Sequence, residues 1–207
     1  MSEKAEFLKS VDVSRETLER LEGFQQLLIK WNGAINLVSP HTIRQIWSRH
    51  FLDSAQIFDL SEGGSGLWMD IGSGGGFPGL IVAILAAEKR PDLSVMLVES
   101  DRRKAAFLTT VAMKLGLKVT VKVDRIEALP PANCDILSAR ALAPLSDLLG
   151  YAARHLAKDG ICLFPKGIRW RDELAEAAKN WSFSHEQFPS LTDKDAVILK
   201  MKEPVHV

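Results

Sequence analysis

The densest chemistry in this chain lies between Leu67 and Gly79, in the run Leu-Trp-Met-Asp-Ile-Gly-Ser-Gly-Gly-Gly-Phe-Pro-Gly. Leu67 to Ile71 reads as a short buried strand that ends on Asp70, and the glycines after it as a sharp turn. Leu80 to Ala87 is apolar and Ala-rich and reads as the helix that follows. Strand, glycine turn and helix together bring backbone N–H groups up to a ligand. Glycine is required where φ is positive or where a Cβ would strike what lies above. Spacing separates the ligand classes. A dinucleotide fingerprint needs a third glycine where Phe77 stands, and a phosphate-binding P-loop needs Lys-Ser/Thr where Leu80-Ile81 stands. What remains is an acid, Asp70, leading into Gly72-Ser73-Gly74; a turn that holds no ligand is the plain alternative.

That arrangement resembles the first motif of the S-adenosylmethionine-dependent methyltransferases, in which the turn lies against the methionine part of the cofactor. In open α/β sheets ligands sit beyond the C-terminal strand ends, so each end is a candidate. Glu99 ends the second strand and can accept both ribose hydroxyls of a nucleoside, or else cap the next helix. Asp124-Arg125-Ile126-Glu127 follows the third strand, where an adenine ring would sit and Ile126 could pack on it; an ordinary loop is the alternative. Arg140 follows the fourth strand and suits a cofactor carboxylate or an RNA phosphate, both matched by a planar fork of donors. Its alternative is an ion pair with Asp135 or Asp147. Lys166-Gly167, Arg169 and Arg171 follow the fifth strand and point to polyanion contact, with Arg171 read as a solvated helix start.

The elements that must position these residues form an alternating series. Ser14 is a fitting N-cap for a helix that runs to Asn32-Gly33, and Pro40 separates it from a second helical region over Thr42 to Leu60. Ser61-Glu62-Gly63-Gly64-Ser65-Gly66 reads as a flexible joint. It divides a helical N-terminal extension (1–62), too short to bury its own core, from the main domain (67–207). Further strands are expected at Ser94–Val98, Val119–Val123, Cys134–Ala139 and Ile161–Pro165. Helices fall between them at Asp101–Leu115, Leu145–Leu156 and Arg171–Lys179. Trp181–Phe188 and Ala196–Met201, with only a loop between them, imply an antiparallel hairpin at one edge. The class is α/β: a Rossmann-like, seven-stranded, mostly parallel sheet.

Composition bounds the function. The 207 residues carry a formal net charge of zero, with 46% apolar and 25% charged residues, as in an ordinary soluble domain. Neutrality counts against a grip on nucleic acid by bulk charge, though not against basic residues grouped on one face. The longest apolar run falls far short of a membrane span, and the polar N-terminus lacks a signal segment. Cys134 and Cys162 sit in apolar runs and read as reduced core residues of a cytoplasmic protein rather than a disulfide or a metal pair.

A longer pattern is more specific than the turn. Asn36-Leu37, His50-Phe51-Leu52-Asp53-Ser54, Asp70-Ile71-Gly72-Ser73-Gly74-Gly75-Gly76-Phe77-Pro78-Gly79, Glu99-Ser100 with Lys104 and Phe107-Leu108, Ser138-Ala139-Arg140-Ala141 and Lys166-Gly167 occur in order. Together they resemble the RsmG family, formerly called glucose-inhibited division protein B, over nearly the whole chain. The resemblance implies methylation of N7 of one guanosine, 527 in the usual numbering, in bacterial 16S ribosomal RNA, with S-adenosyl-L-methionine as cofactor and S-adenosyl-L-homocysteine as product. It implies cofactor contacts at Gly72, Phe77, Ile126, Glu127 and Arg140, beside Asp70, Gly74 and Glu99 from the strand ends. Many members have Ser-Arg-Ala directly, so the extra alanine here leaves the register of Arg140 open by one residue. Candidates for the RNA face are Arg44, Arg49, His50, Arg140, Lys166 and Arg169. Trp31, Trp47 and Trp170 are candidates to stack on a splayed base or, for Trp31 and Trp47, to pack the extension.

Guanine N7 has a free lone pair and no proton to lose, so positioning alone can drive transfer and no general base is expected. Neither cysteine has an activating setting for pyrimidine C5 chemistry, and Leu129-Pro130-Pro131-Ala132 lacks the pattern used on exocyclic amines. The expected partner is 16S RNA, the small subunit or an assembly intermediate, met by a monomer with no metal and no membrane contact. A methyltransferase acting on a small molecule or protein, and a module that binds the cofactor without turnover, are the competing readings.

Overall fold

The computed structural model describes residues 2–61 and 65–207. The N-terminal part is helical: α1 (Glu3–Ser10), α2 (Arg15–Asn32), a 3-10 turn (Ile43–Gln45), a π-helical stretch (Trp47–Leu52) and α3 (Asp53–Asp59). Ser14 caps α2 by accepting from Thr17 N at 3.2 Å. α1 is a helix that the sequence reading does not anticipate; apart from Ala5, Phe7 and Leu8 its residues are polar, and only Phe7 is buried. The helical region expected over Thr42–Leu60 is made of three helical forms in succession. A π turn holds an extra residue, and here it lets His50, Phe51 and Leu52 all be buried in a row. The joint expected over Ser61 to Gly66 lies partly outside the described residues, at 62–64, and so does the expected boundary at 62.

The sheet comprises β1 (Ser65–Ile71), β2 (Asp92–Val98), β3 (Val119–Lys122), β4 (Cys134–Ser138), β5 (Leu156–Lys166), β6 (Trp181–Pro189) and β7 (Val197–His206). The connecting helices are α4 (Gly79–Lys89), α5 (Arg102–Lys114), α6 (Leu145–His155) and α7 (Trp170–Ala177). The seven strands lie in the order β3-β2-β1-β4-β5-β7-β6. β1 to β5 are parallel, and β7 runs antiparallel to both β5 and β6. The order reverses between β1 and β4, which opens a crevice above their C-terminal ends.

α4 explains its own sequence. Every residue from Gly79 to Ala86 is buried, because the helix lies between the sheet and the extension, and a helix covered on all sides is apolar on all sides. Phe7, Leu21, Phe24, Phe51 and Phe58 of the extension share one core with Trp68, Phe77, Leu80 and Phe107. Phe24 stacks on Phe51 at 5.4 Å and meets Phe77 at 5.3 Å. Arg90 adds a polar tie, donating to the Phe58 and Ser61 carbonyls at 3.1 and 2.6 Å. The opposite face of the sheet buries Met69, Leu137 and Phe164 against Leu148 and Leu149 of α6.

Candidate active site

The glycine turn is held from beneath by Asp70. Its carboxylate is wholly buried and accepts from Ser138 Oγ at 2.7 Å and from Gly79 N, the first residue of α4, at 3.2 Å. Ser138 Oγ in turn accepts from Trp68 Nε1 at 2.9 Å. Burial pushes the Asp70 carboxyl up to about 6, against the pull of its bonds to Ser138, Ser73 and Gly79. Asp70 thus joins β1, β4 and α4, and both its oxygens are used inside the protein. Above it, Gly72 and Gly74 have φ of +65° and +54°. A Cβ on Gly72 would come within 2.5 Å of Leu142 Cδ1, so that side chain lies directly on the turn. A Cβ on Gly75 would approach Leu37 O to 2.9 Å. The Leu37 backbone is placed there by Asn32 Oδ1, which accepts from Leu37 N and Val38 N at 2.9 Å each.

Glu99 is only 7% exposed. It accepts from Gly74 N and from Asp101 N, both at 2.8 Å. It is therefore not the surface cap that the sequence left as its alternative; it couples the glycine turn to the start of α5, which Asp101 itself caps. Past β3, Ile126 is buried while Glu127 is exposed. α6 braces this loop through three residues. His155 Nε2 lies 3.2 Å from Ile126 O, Arg154 donates to Leu129 O at 2.8 Å, and Tyr151 donates to Glu127 at 2.7 Å. The Tyr151 bond holds the Glu127 carboxyl below its usual range. A cradle without Cβ atoms, a buried acid beside it and a braced loop beyond make a chemically fitting seat for a nucleoside cofactor.

Arg140 pairs with neither Asp135 nor Asp147. Asp135 accepts from Leu67 N at 2.7 Å, and Arg140 reaches across to the extension. It donates to Asp53 at 3.1 Å, to the Arg49 carbonyl at 3.3 Å and to His50 Nδ1 at 3.0 Å. Its guanidinium also lies 5.0 Å from the Phe77 ring centre, and Phe77 stacks on His50 at 4.9 Å. Burial first, then Arg140 and Arg49, lower the His50 imidazolium to about 4. A neutral ring that accepts at Nδ1 must donate from Nε2, and Thr42 Oγ1 lies 2.8 Å away to receive it.

The basic candidates divide into two groups. Arg44, Arg49 and Arg169 are exposed, whereas His50 is buried. The Lys166 side chain is 8% exposed and bonded to Glu173 at 2.7 Å. The tryptophans do not form a stacking platform. Trp47 and Trp170 are buried, and Trp31 packs on Phe107 at 5.7 Å.

Beside this clamp a cavity of about 340 Å³ opens above β4, β5 and β7. Its charged lining is Arg49, Asp53, Arg140, Lys166, Glu173 and Asp193. One wall was not readable in the sequence. The β6–β7 loop is tied to α3, with Thr192 Oγ1 donating to Asp53 at 2.8 Å and Leu191 N to Gln56 at 2.8 Å. Nothing in the spacing of Gln56, Ser190 or Thr192 marks them; only the fold brings them together.

Comparison with known proteins fixes the family. The family described as rRNA small subunit methyltransferase G matches residues 17–199. The chain belongs to that family. It is 57% identical over 192 residues to the "Ribosomal RNA small subunit methyltransferase G" of Ruegeria sp. (strain TM1040), covering 93% of each chain. It is 52% identical over 199 residues to the protein of that name from Cereibacter sphaeroides (strain ATCC 17025), covering 96% of each. Among solved structures, a putative O-methyltransferase from Klebsiella pneumoniae matches with a TM-score of 0.61 at 15% identity, covering 95% of this chain and 94% of that one. A putative S-adenosyl-L-methionine-dependent methyltransferase from Methanococcus maripaludis matches at 0.58 and 12% identity, covering 88% and 92%. At such identities these two likenesses carry the fold alone: this chain has the Rossmann-like methyltransferase sheet expected from the sequence.

Proposed function

We propose that the chain transfers the methyl group of S-adenosyl-L-methionine to N7 of a guanosine in the 16S RNA of the small ribosomal subunit. The observation that carries this reading is the turn at the β1/β4 crevice, with Gly72 at positive φ and the buried Glu99 beside it, in a chain of this family. Gly72, Gly74 and the Ile126–Glu127 backbone would hold the cofactor, and Glu99 would receive its ribose hydroxyls on the lone pairs that Gly74 and Asp101 leave. Asp70 would act indirectly, by fixing the turn.

When bound, the cofactor supplies an electrophilic methyl on a sulfonium. Gly72, Gly74 and the Ile126–Glu127 backbone would hold that group so that its methyl, released with the sulfur keeping the bonding pair, could be offered in line to the lone pair of guanine N7. No proton leaves N7, so the chain needs no base. Two of the groups nearby are held within the protein: Asp70 is sealed inside, and the His50 nitrogens face Arg140 and Thr42. The cysteines are buried, and burial pushes the Cys134 thiol up to about 12; a thiolate route to a pyrimidine carbon has no support. The chain's part is alignment and exclusion of water.

Arg44, Arg49 and Arg169 would take phosphates, so affinity should fall with salt. The segment before residue 62 would serve as an RNA-side wall for a catalytic domain from residue 67 onward, in a cytoplasmic monomer. The test is to map N7-methylguanosine in small-subunit RNA from cells with and without this protein, and to follow labelled methyl transfer to small-subunit particles against metabolite pools. Unchanged N7-methylguanosine, or label only in small molecules, would defeat the reading.

A further inference from the structure

Resting on that reading, we infer that Asn32, the last residue of α2, is a positioning residue for the cofactor. It acts through the Leu37 backbone, which it holds against Gly75, and so keeps the middle of the glycine turn in its binding shape. Three observations lead there.

The first is that Gly75 is a glycine for a different reason from its neighbours. Gly74 and Gly76 have φ of +54° and +92°, where an L side chain is strained. Gly75 lies outside that left-handed region. What forbids a side chain there is the extension: a Cβ on Gly75 would stand 2.9 Å from Leu37 O and 3.3 Å from Leu37 C. Both are backbone atoms, so no change of rotamer relieves the clash. The extension is packed on the turn with no room for a methyl group between them.

The second is how the turn is fixed. Ser73 N donates to Val98 O at 3.1 Å, Gly74 N to Glu99 at 2.8 Å and Gly76 N to Ser73 O at 2.7 Å. Gly75, in the middle, makes no hydrogen bond among the described residues. Its place depends on what lies against it, and the Leu37 backbone is that contact.

The third is that one side chain sets the Leu37 backbone. Asn32 is 7% exposed, and its Oδ1 accepts from both Leu37 N and Val38 N at 2.9 Å. Two N–H groups converge on one atom, so that atom must be the amide oxygen. The two bonds turn the chain back beside the end of α2 and leave Leu37 and Val38 buried. Without that oxygen both N–H groups lose this acceptor in a buried setting, a costly state that the segment 33–38 relieves only by moving.

Substitution on both sides of the contact tests this. Asn32→Ala removes the acceptor and frees Leu37, while Gly75→Ala drives a methyl group into Leu37 O from the other side. Asn32→Asp keeps an oxygen for both N–H groups but puts a negative charge at the C-terminal end of α2, where the macrodipole opposes it. Ser14→Ala, which removes the N-cap at the far end of the same helix, is the control for lost helix stability. Each variant is titrated with S-adenosylmethionine by calorimetry at a temperature where melting shows it folded. Asn32→Ala and Gly75→Ala should each weaken the affinity about tenfold, as a site loosened by its supporting residues would. KM for the cofactor should rise by the same factor, with kcat at saturating cofactor kept. The double variant should lose about as much as either single one, since a freed Leu37 makes room for the methyl group. Asn32→Asp should melt lower yet recover most of the affinity, and Ser14→Ala should melt lower with wild-type affinity. The inference is overturned if Asn32→Ala binds as the wild type does, if affinity simply follows melting temperature through the set, or if the two losses multiply in the double variant. Should Asn32→Ala fail to fold, Asn32→Ser, whose shorter side chain cannot reach both N–H groups, takes its place. Wild-type protein that binds no S-adenosylmethionine would instead defeat the reading beneath, and this inference with it.

Discussion

Arg140 and Asp53 meet at 3.1 Å across the seam between the tip of β4 and the start of α3. Through that contact Arg140, which the sequence suits to a cofactor carboxylate or an RNA phosphate, also fastens the extension to the sheet. The same guanidinium reaches His50 and overlies Phe77. The upstream His-Phe-Leu-Asp-Ser run and the Gly-Phe-Pro-Gly turn, distant in sequence, thus form one clamp. Both side chains of the pair are 19% exposed, so solvent screens the contact in part.

A double-mutant cycle measures that clamp. Arg140→Gln and Asp53→Asn should each destabilise the protein, and the double variant should lose less than their sum. A coupling of about 1–2 kcal/mol in urea unfolding is expected for a charge-assisted, partly buried pair. Additive losses would mean that the two side chains do not depend on each other. Arg140→Lys should recover little, because an ammonium cannot reach Asp53, the Arg49 carbonyl and His50 together.

His50 should stay neutral throughout the physiological range. Its imidazolium is lowered to about 4, by burial and then by the two arginines. For a depressed value the sign is fixed: the stability contributed is present above the unfolded value near 6.5 and is lost as pH falls through about 4. The His50 ring proton resonance should therefore hold flat from pH 8 to pH 5 and move only below that. A midpoint near 6.5 would show that the Arg140 contact is not maintained in solution.

Much of this architecture was legible because its causes are local. The apolar run after Gly79 shows a helix, Ser14 is a cap, and Gly116, at φ +63°, closes α5. Strand ends could be read because alternating strands and helices leave few topologies open. The site was legible only as far as residue types reach. Lys166 in sequence is a candidate for polyanion contact, and only the fold shows Glu173 bonded to it. Asp53 and Thr192 are 139 positions apart, and no periodicity connects them. Glu99 could be placed at a strand end, but not as the acceptor of Gly74 N. α1 escaped notice because a helix with one buried side chain carries almost no apolar pattern.

Gly72→Ala should separate cofactor affinity from folding. The new methyl would meet Leu142 Cδ1 at 2.5 Å, in a left-handed conformation with φ +65°. The backbone strain is about 1–2 kcal/mol, and Leu142, being half exposed, can move aside. Folding should survive with a modest fall in melting temperature, while the displaced Leu142 and the distorted turn would disturb the seat proposed for the cofactor. Calorimetry should show cofactor binding weakened at least about tenfold, or 1.4 kcal/mol. Normal affinity would remove the turn from the site.

Glu99→Gln and Glu99→Ala distinguish ribose binding from loop bracing. Both disturb the bonds from Gly74 N and Asp101 N, so both should lower stability, Ala more than Gln. If the acid also receives the ribose hydroxyls, Glu99→Ala should weaken cofactor binding by about 1.5–3 kcal/mol, the range for a hydrogen bond to a charged group. A loss of stability with an unchanged dissociation constant would assign Glu99 to bracing alone.

Asp70 gives the last test, because its charge is the most deeply buried at the site. Burial raises its carboxyl from the ordinary value of 3.8 to about 6. The folded protein therefore holds a proton there that the unfolded chain releases. The stability tied to that proton is fully present below the unfolded value and is lost as pH rises through about 6. Asp70→Asn cannot titrate. The difference in unfolding free energy between wild type and Asp70→Asn should thus shift against the wild type between pH 4 and pH 6.5, by at most about 3 kcal/mol for a shift of this size. The bonds from Ser138 and Gly79 favour the carboxylate and are already part of that balance, which burial dominates. A difference flat across this window would mean that those two donors, with the N-terminus of α4 behind Gly79, fully offset the burial. Asp70 would then keep its charge at every pH at which the enzyme is folded.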